Sequence, residues 1–356
     1  MLRSQTLKNL ALLLGSLLFV FIVFEILVRV FSPQIFEIHP RGMYTTDEDV
    51  GYALTPGFEG QLQRNEFTTR ISVNDQGLRG RPFGPKRDDI SRILVLGDSF
   101  AFGYGVEEHE SFPAYLEACL NSAGAGAFEV LTAGVPGYGT VDQLNFLRSR
   151  GEALAPDVVI LQFLSSNDLD ENRYPATEWA DVEDGWLVYS SDGYDPATML
   201  PLWKQFELWL KANVHSAGFV SERIGYLLLK SSLFPRLELA MWGELFSDEE
   251  ERLFEEALTD IKHHADGLGA RFLFLYLTDQ GPVLARSEPQ LRSEALVERV
   301  LSDQGVDWIN MYRLMREHED RGSFYFPLDG HWNAAGHQFA AEALCRELAA
   351  SPANAR

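Results

Sequence analysis

The sequence predicts an α/β fold: a parallel sheet with helices on both faces, preceded by a membrane-type helix and interrupted by a helical insertion. Three observations predict it. Short apolar runs recur without polar alternation, as in Val158-Val159-Ile160-Leu161-Gln162-Phe163 and Phe272-Leu273-Phe274-Leu275-Tyr276-Leu277, the pattern of strands buried on both faces. Helix-length segments separate these runs. At 356 residues and 46% hydrophobic, the chain is long enough for one large core with additions, or for two modest domains.

The elements follow in order. Leu10 to Phe24 is an uninterrupted apolar run that continues through Ile26, Leu27 and Val28, with Arg3 and Lys8 ahead of it. As a helix, the uncharged part spans roughly 22 Å, a little short of a bilayer core. Glu25 falls near the far boundary, and Arg29 stands beside it one helical turn later. The positive flank predicts a cytoplasmic N-terminus with the rest of the chain outside. A cleaved signal peptide is the rival, but Val28-Arg29-Val30-Phe31-Ser32-Pro33 offers no small-residue cleavage pattern. An uncleaved anchor over residues 1–33 is therefore expected.

Residues 34–90 read as a small extended preface. Gly51-Tyr52-Ala53-Leu54-Thr55-Pro56-Gly57 and Asn74-Asp75-Gln76-Gly77 are turn-rich, and Phe67 to Val73 between them has strand composition. The main domain occupies 91–350. Its first strand, Ile93-Leu94-Val95-Leu96, ends in Gly97-Asp98. A helix over Glu110–Asn121, a strand over Phe128–Thr132, a helix over Val141–Ala153 and a strand over Val158–Phe163 follow. A helix over Asp248–Leu268 leads into the strand Phe272–Leu277. Asp307–Met311 forms a fifth strand, and Ala334–Ala349 the closing helix. In such sheets the site lies at the C-terminal strand ends. Residues 172–247 break the alternation and carry Trp179, Trp186, Trp203, Trp209 and Trp242, with helical patterns over Leu202–Val214 and Ser221–Leu229. A segment this long is more than a loop. It reads either as a lid over a substrate cleft or as a packed helical insertion, since aromatic density does not distinguish the two.

Composition excludes some functions. A net charge of −22 argues against nucleic acid as a partner, because phosphate binding needs clustered Lys and Arg. Cys119 and Cys345 are the only cysteines, and without a C-x-x-C pair no cysteine-based metal centre is expected. The two are either buried thiols or a disulfide.

The chemistry gathers at strand ends. Ser99 follows Gly97-Asp98 where a helix should begin, so its hydroxyl stands near the positive end of that helix. A serine nucleophile needs a base. His331, in Phe326-Pro327-Leu328-Asp329-Gly330-His331-Trp332-Asn333, lies just before the last helix, and Asp329 is placed to accept its other ring N–H. His263 and His264 fall mid-helix. His109 and His337 lie near helix starts without a visible partner, and His215 and His318 show no distinguishing context. Gly134, after the second strand, would let a backbone N–H approach an oxyanion. Asn167, after the third, offers a side-chain amide. Taken singly, Gly134 reads equally as a turn former and Asn167 as a cap.

Together, Gly-Asp-Ser-Phe at 97–100, the glycine after the second strand, Asn-Asp at 167–168 and Asp-Gly-His at 329–331 resemble the four signature blocks of the SGNH/GDSL hydrolases, over residues 91–349 apart from the insertion. The resemblance implies a flavodoxin-like α/β/α sandwich. It also implies Ser99 as nucleophile, His331 as base, and Ser99 N–H, Gly134 and Asn167 as oxyanion donors, with no metal or organic cofactor. One departure concerns the acid: the family pattern puts it three positions before the histidine, where Leu328 stands, and Asp329 is two before. The Asp-x-His-Trp form is locally similar to alginate O-acetylation proteins, whose blocks come in a different order. In a flavodoxin-like fold the first and last helices share a sheet face, which would bring Cys119 and Cys345 together in an oxidising compartment. The expected activity is an extracytoplasmic serine esterase acting on acyl, including acetyl, esters of a carbohydrate or lipid. A cell-surface polysaccharide O-acetyltransferase and a catalytically inactive carbohydrate-binding module are the alternatives.

Overall fold

The computed structural model describes residues 2–35, 39–124, 126–189, 202–230, 246–285 and 291–350. Helix α1 (Leu2–Phe31) opens the chain. It is long and apolar enough over Lys8–Phe31 to cross a membrane by length and composition. Arg29 Nε donates to Glu25 Oε1 at 2.6 Å, as the one-turn spacing predicts.

The preface folds as two antiparallel hairpins, β1 (Tyr44–Asp47) with β2 (Gly51–Leu54), and β3 (Glu59–Gln63) with β4 (Thr68–Ser72). The strand expected over Phe67–Val73 is β4. The other three lack the period-two alternation that marks a half-buried strand.

The sheet begins with β5 (Ile90–Gly97), followed by α2 (Ser99–Phe102) and α3 (Phe112–Ser122). The expected helix from Glu110 starts at Phe112 instead, because Ser111 caps it and Pro113 sits in its first turn; Glu108–Glu110 form a separate 3-10 turn. Then come β6 (Ala127–Gly134), α4 (Thr140–Leu154) and β7 (Val158–Leu164). The insertion holds α5 (Asp168–Glu171), α6 (Ala176–Trp179), an antiparallel hairpin of β8 (Ala180–Glu183) and β9 (Trp186–Tyr189), α7 (Leu202–Asn213) and α8 (His215–Lys230). Trp242 and the Trp203 side chain lie outside the described residues. The chain returns through α9 (Asp248–Gly267), β10 (Arg271–Leu277), α10 (Gln280–Leu284), α11 (Arg292–Gln304), β11 (Asp307–Asn310), α12 (Met311–Glu317) and α13 (Ala334–Ala350). Sequence reading left α11 and α12 unassigned. A parallel β10–β11 pair needs a crossover, and α11 supplies it.

The five central strands run in the order β11-β10-β7-β5-β6, every pair parallel. This is the flavodoxin-like order, in which the chain reverses direction of growth at the first strand. That strand is β5, and the switch point places a crevice at its C-terminal end, where Ser99 stands. Every residue of β7 is buried, which accounts for its unalternated apolar sequence. Helices α3 and α13 pack against each other, as do α4 and α9. The bond between Cys119 and Cys345 joins α3 to α13 across a Cα separation of 6.2 Å, inside the range a disulfide spans.

Candidate active site

Local sequence builds the serine's position. Buried β5 delivers Gly97 and Asp98 at its end, and α2 starts at once. Asp98 caps α2 through Oδ1, which accepts from Phe100 N at 2.8 Å. Gln162, a polar residue inside the apolar strand β7, accepts from Asp98 N at 3.0 Å and Ala101 N at 3.1 Å through Oε1. A neighbouring strand thus fixes the turn on both sides of Ser99. Gly97 is required here, since a Cβ would meet Ala101 Cβ at 2.6 Å.

The histidine is positioned differently. Ser99 Oγ lies 2.8 Å from His331 Nε2, and His331 Nδ1 lies 2.5 Å from Asp329 Oδ1. Burial pushes the Asp329 carboxyl up, but the bond and charge of His331 and the Arg64 guanidinium outweigh it and hold the group below its ordinary value. An ionised Asp329 only accepts, so the Nδ1–H donates to it and Nε2 is left to accept from the serine. The departure from the family spacing does not separate Asp329 from His331.

The loop carrying both residues is held by the preface. Glu66, between β3 and β4, accepts through Oε2 from Leu328 N and Asp329 N, each at 2.7 Å. Arg64 Nε stands 3.6 Å from Asp329 Oδ2. Phe67 packs on Phe326, ring centroids 4.9 Å apart. The Tyr104 and Phe100 rings lie 4.6 Å and 5.0 Å from the imidazole.

Around these groups is a cleft of about 720 Å³ whose walls include Ser99, Asn167 and His331, a size suited to a small-molecule or chain-end ligand. Gly134 is not on its wall. A Cβ at Gly134 would stand against the backbone of Ala101 and Phe102, so the absent side chain admits α2 rather than a substrate. Gly137, three residues on, lines the cleft with φ +87°. Its turn is held by the preface too: Tyr52 Oη donates to Pro136 O at 2.8 Å, and Tyr138 Oη donates to Tyr52 O.

Asn167 is on the wall, and its Nδ2 donates to Glu171 Oε1 and Oε2, both at 3.1 Å. Behind it lies a group of buried acids. Burial first, and the nearby Asp98 charge second, push Glu171 up to about 8. Burial raises Asp98 to about 6 and Asp142 to about 7. Asp168 is raised well above its ordinary range by burial, with the charges of Asp98 and Glu171 adding.

Sequence reasoning missed several residues here. His39 lines the cleft, and burial, then the charges of Arg64 and His331, depress it to about 4. Arg64, Glu66 and Glu171 carry no motif. Gln162 had a usable signal, a lone amide in an apolar strand. The remaining histidines are structural or peripheral. His337 Nδ1 accepts from Phe112 N at 3.2 Å inside the core, and His215 Nδ1 accepts from Gln34 N at 2.8 Å. Among the described residues no cluster of three His, Cys, Asp or Glu is placed to hold a metal.

Residues 95–339 match the model of the GDSL-like lipase/acylhydrolase family. The chain belongs to this family. Solved structures similar to this GDSL-family chain include a lipase/acylhydrolase from Enterococcus faecalis, at 15% identity, covering 73% of this chain and 96% of that one with a TM-score of 0.42. TesA matches at 13% identity over 74% of this chain and 99% of that one, TM-score 0.42. An acetyl xylan esterase, AlAXEase, matches at 12% identity over 72% and 99%, TM-score 0.41. No curated protein matches the chain in sequence. Family membership makes it a hydrolase of esters.

Proposed function

We propose that this chain is a membrane-anchored, extracytoplasmic serine esterase that removes acyl groups, including acetyl, from a carbohydrate or lipid alcohol through an acyl-enzyme. The contact that carries the reading is Ser99 Oγ to His331 Nε2 at 2.8 Å, with Asp329 behind the ring at 2.5 Å. His331 Nε2 takes the hydroxyl proton as Oγ bonds to the ester carbon. The tetrahedral oxyanion accepts from Ser99 N–H, Gly137 N–H and one Asn167 Nδ2–H. The amides flanking Ser99 are spent, Asp98 and Ala101 on Gln162 and Phe100 on Asp98, which leaves the serine's own N–H for the substrate. The other Asn167 N–H is engaged by Glu171, which keeps its proton at neutral pH and so adds no negative charge beside the oxyanion. Collapse expels the alcohol, which leaves with the proton from Nε2. Water then attacks the acyl carbon as Nε2 of His331 takes its proton, the bond to Oγ breaks, Oγ takes that proton back from Nε2, and the acid departs.

The anchor is read from α1, whose apolar length and positive N-terminal flank support a membrane span with the catalytic domain outside the cytoplasm. The test is turnover of 4-nitrophenyl acetate and of acetylated glycans by the full chain in detergent. Ser99→Ala and His331→Ala are each expected to lower kcat/KM by about 10⁴-fold or more. Equal turnover by wild type and Ser99→Ala would overturn the assignment.

A further inference from the structure

Outside α1, eight large apolar side chains are exposed among the described residues, and six of them lie on α7 and α8. They are Leu202, Phe206 and Trp209 on α7, and Val220, Ile224 and Leu227 on α8. Each set follows the spacing i, i+4, i+7, which puts it on one helix face. These are prominent exposures: Leu202 is 82% exposed and Leu227 64%. Scattered apolar residues need no explanation, but an aligned face on each of two successive helices does.

The same helices are fastened to α1. Glu25 accepts through Oε1 from His215 N at 3.1 Å and through Oε2 from Ser216 N at 2.8 Å, so a carboxylate of α1 caps the start of α8. Arg29 Nη2 donates to Asn213 O, the last residue of α7, at 3.0 Å. Phe24 and Phe219 meet edge to face at 6.2 Å. These attachments fall at the end of the apolar run of α1, the level where a membrane-crossing helix leaves the hydrocarbon. Amphipathic helices and tryptophan settle at that level.

The helices also roof the cleft. Lys211 of α7 and Ser221, Glu222, Gly225 and Tyr226 of α8 line it together with Ser99 and His331. Glu222 is tied to the preface by Asn65 Nδ2 at 3.0 Å. Residues 221, 222, 225 and 226 of α8 thus border the cleft, while 220, 224 and 227 are exposed.

We propose that α7 and α8 lie in the headgroup layer of the bilayer that α1 crosses, and that the cleft beneath them draws its ester from the lipid surface. The occupant of the apolar face is the membrane, because the helices that carry it are fastened to the helix read as spanning it, at the end of that helix's apolar run. The substrate is then an amphiphile whose ester group sits at the bilayer surface while its apolar chain stays in the lipid. This rests on the reading of α1 as an anchor.

The experiment uses the full chain in phosphatidylcholine vesicles. Cys119 and Cys345 are bonded to each other, so Phe206→Cys, Leu227→Cys and, as a control on α9, Glu256→Cys each add one reactive thiol for a nitrobenzoxadiazole label. Flotation of the vesicles in alkaline carbonate reads the anchor alone. A lipid carrying a nitroxide near its headgroup is expected to quench labels at 206 and 227 but not at 256. The double variant Phe206→Glu/Leu227→Glu is expected to lose about tenfold or more of turnover on hexadecyl acetate held in the vesicles, and to keep its turnover of aqueous 4-nitrophenyl acetate. Flotation with unquenched labels at 206 and 227 overturns the inference and leaves the anchor standing; it also covers burial of the face by a second copy or another part of the chain. Wild type that turns over the aqueous ester but not the vesicle-borne one overturns the substrate half. A protein released by carbonate overturns the anchor and this inference with it.

Discussion

The two halves of the Ser99–His331 pair are held by regions of different origin. The serine side belongs to the sheet: β5 and β7 are adjacent strands, and the start of α2 is fixed to them by backbone amides that donate to the Asp98 and Gln162 side chains. The histidine side belongs to the preface. Glu66 grips the loop at Leu328 and Asp329, and Tyr52 grips the turn before Gly137. The sheet therefore holds Ser99, and a hairpin pair outside it sets the His331 loop and the Gly137 turn in place. Disturbing the sheet should cost stability, while disturbing the preface should cost rate.

The sharpest way to break this contrast is Glu66→Ala. Two loop amides lose their acceptor, and the imidazole is free to drift from Ser99. A displacement on the order of 1 Å costs about 10²-fold in rate, so kcat is expected to fall by about that factor while KM and the circular dichroism spectrum hold. Unchanged kcat would show that the loop positions itself. Gly97→Ala probes the other side. Its Cβ would press on Ala101 and Gln162, and overpacking of this kind costs about 1–3 kcal/mol. Chemical denaturation is expected to show the loss with an unchanged m-value. A variant as stable as wild type would mean α2 has room to move.

These assignments also show how much the sequence carried. All five central strands, α3, α4, α9 and α13 were legible because each has its own periodicity and its own start or stop signal. Ser99, His331, Asp329 and Asn167 could be singled out because each sits beside a strand or helix end with a recognisable neighbour. Gly134 and Gly137 both follow the second strand, and only packing shows that Gly134 makes room for α2 while Gly137 lines the cleft. The start of α8 at His215 was invisible, because its cap is Glu25, far away in sequence. Glu66 and Arg64 were invisible for the same reason. Their partners lie more than 260 residues on, and no local pattern encodes a contact of that kind.

A smaller effect separates the buried acids beneath Asn167 from the paired Asp329. Glu171 and Asp142, held up to about 8 and about 7 chiefly by burial, keep protons that the unfolded chain has already released. Stability is therefore lost as pH rises toward those values and levels off above them. The depressed imidazoles His39 and His337 have the opposite slope, but only below about pH 6.5, where the unfolded-chain imidazole titrates. Between about pH 6.5 and about 8 the melting temperature is expected to fall. Glu171→Gln should flatten that fall. A rising melting temperature over the same interval would contradict protonated carboxyls behind Asn167.

The most direct measurement is covalent labelling of the folded full chain with a fluorophosphonate, read by peptide mass spectrometry. The adduct is expected on Ser99 and on no other serine. His331→Ala is expected to slow labelling by orders of magnitude without unfolding the protein. No adduct on a folded wild-type chain, or labelling that proceeds equally well without the imidazole, would contradict a serine activated by His331.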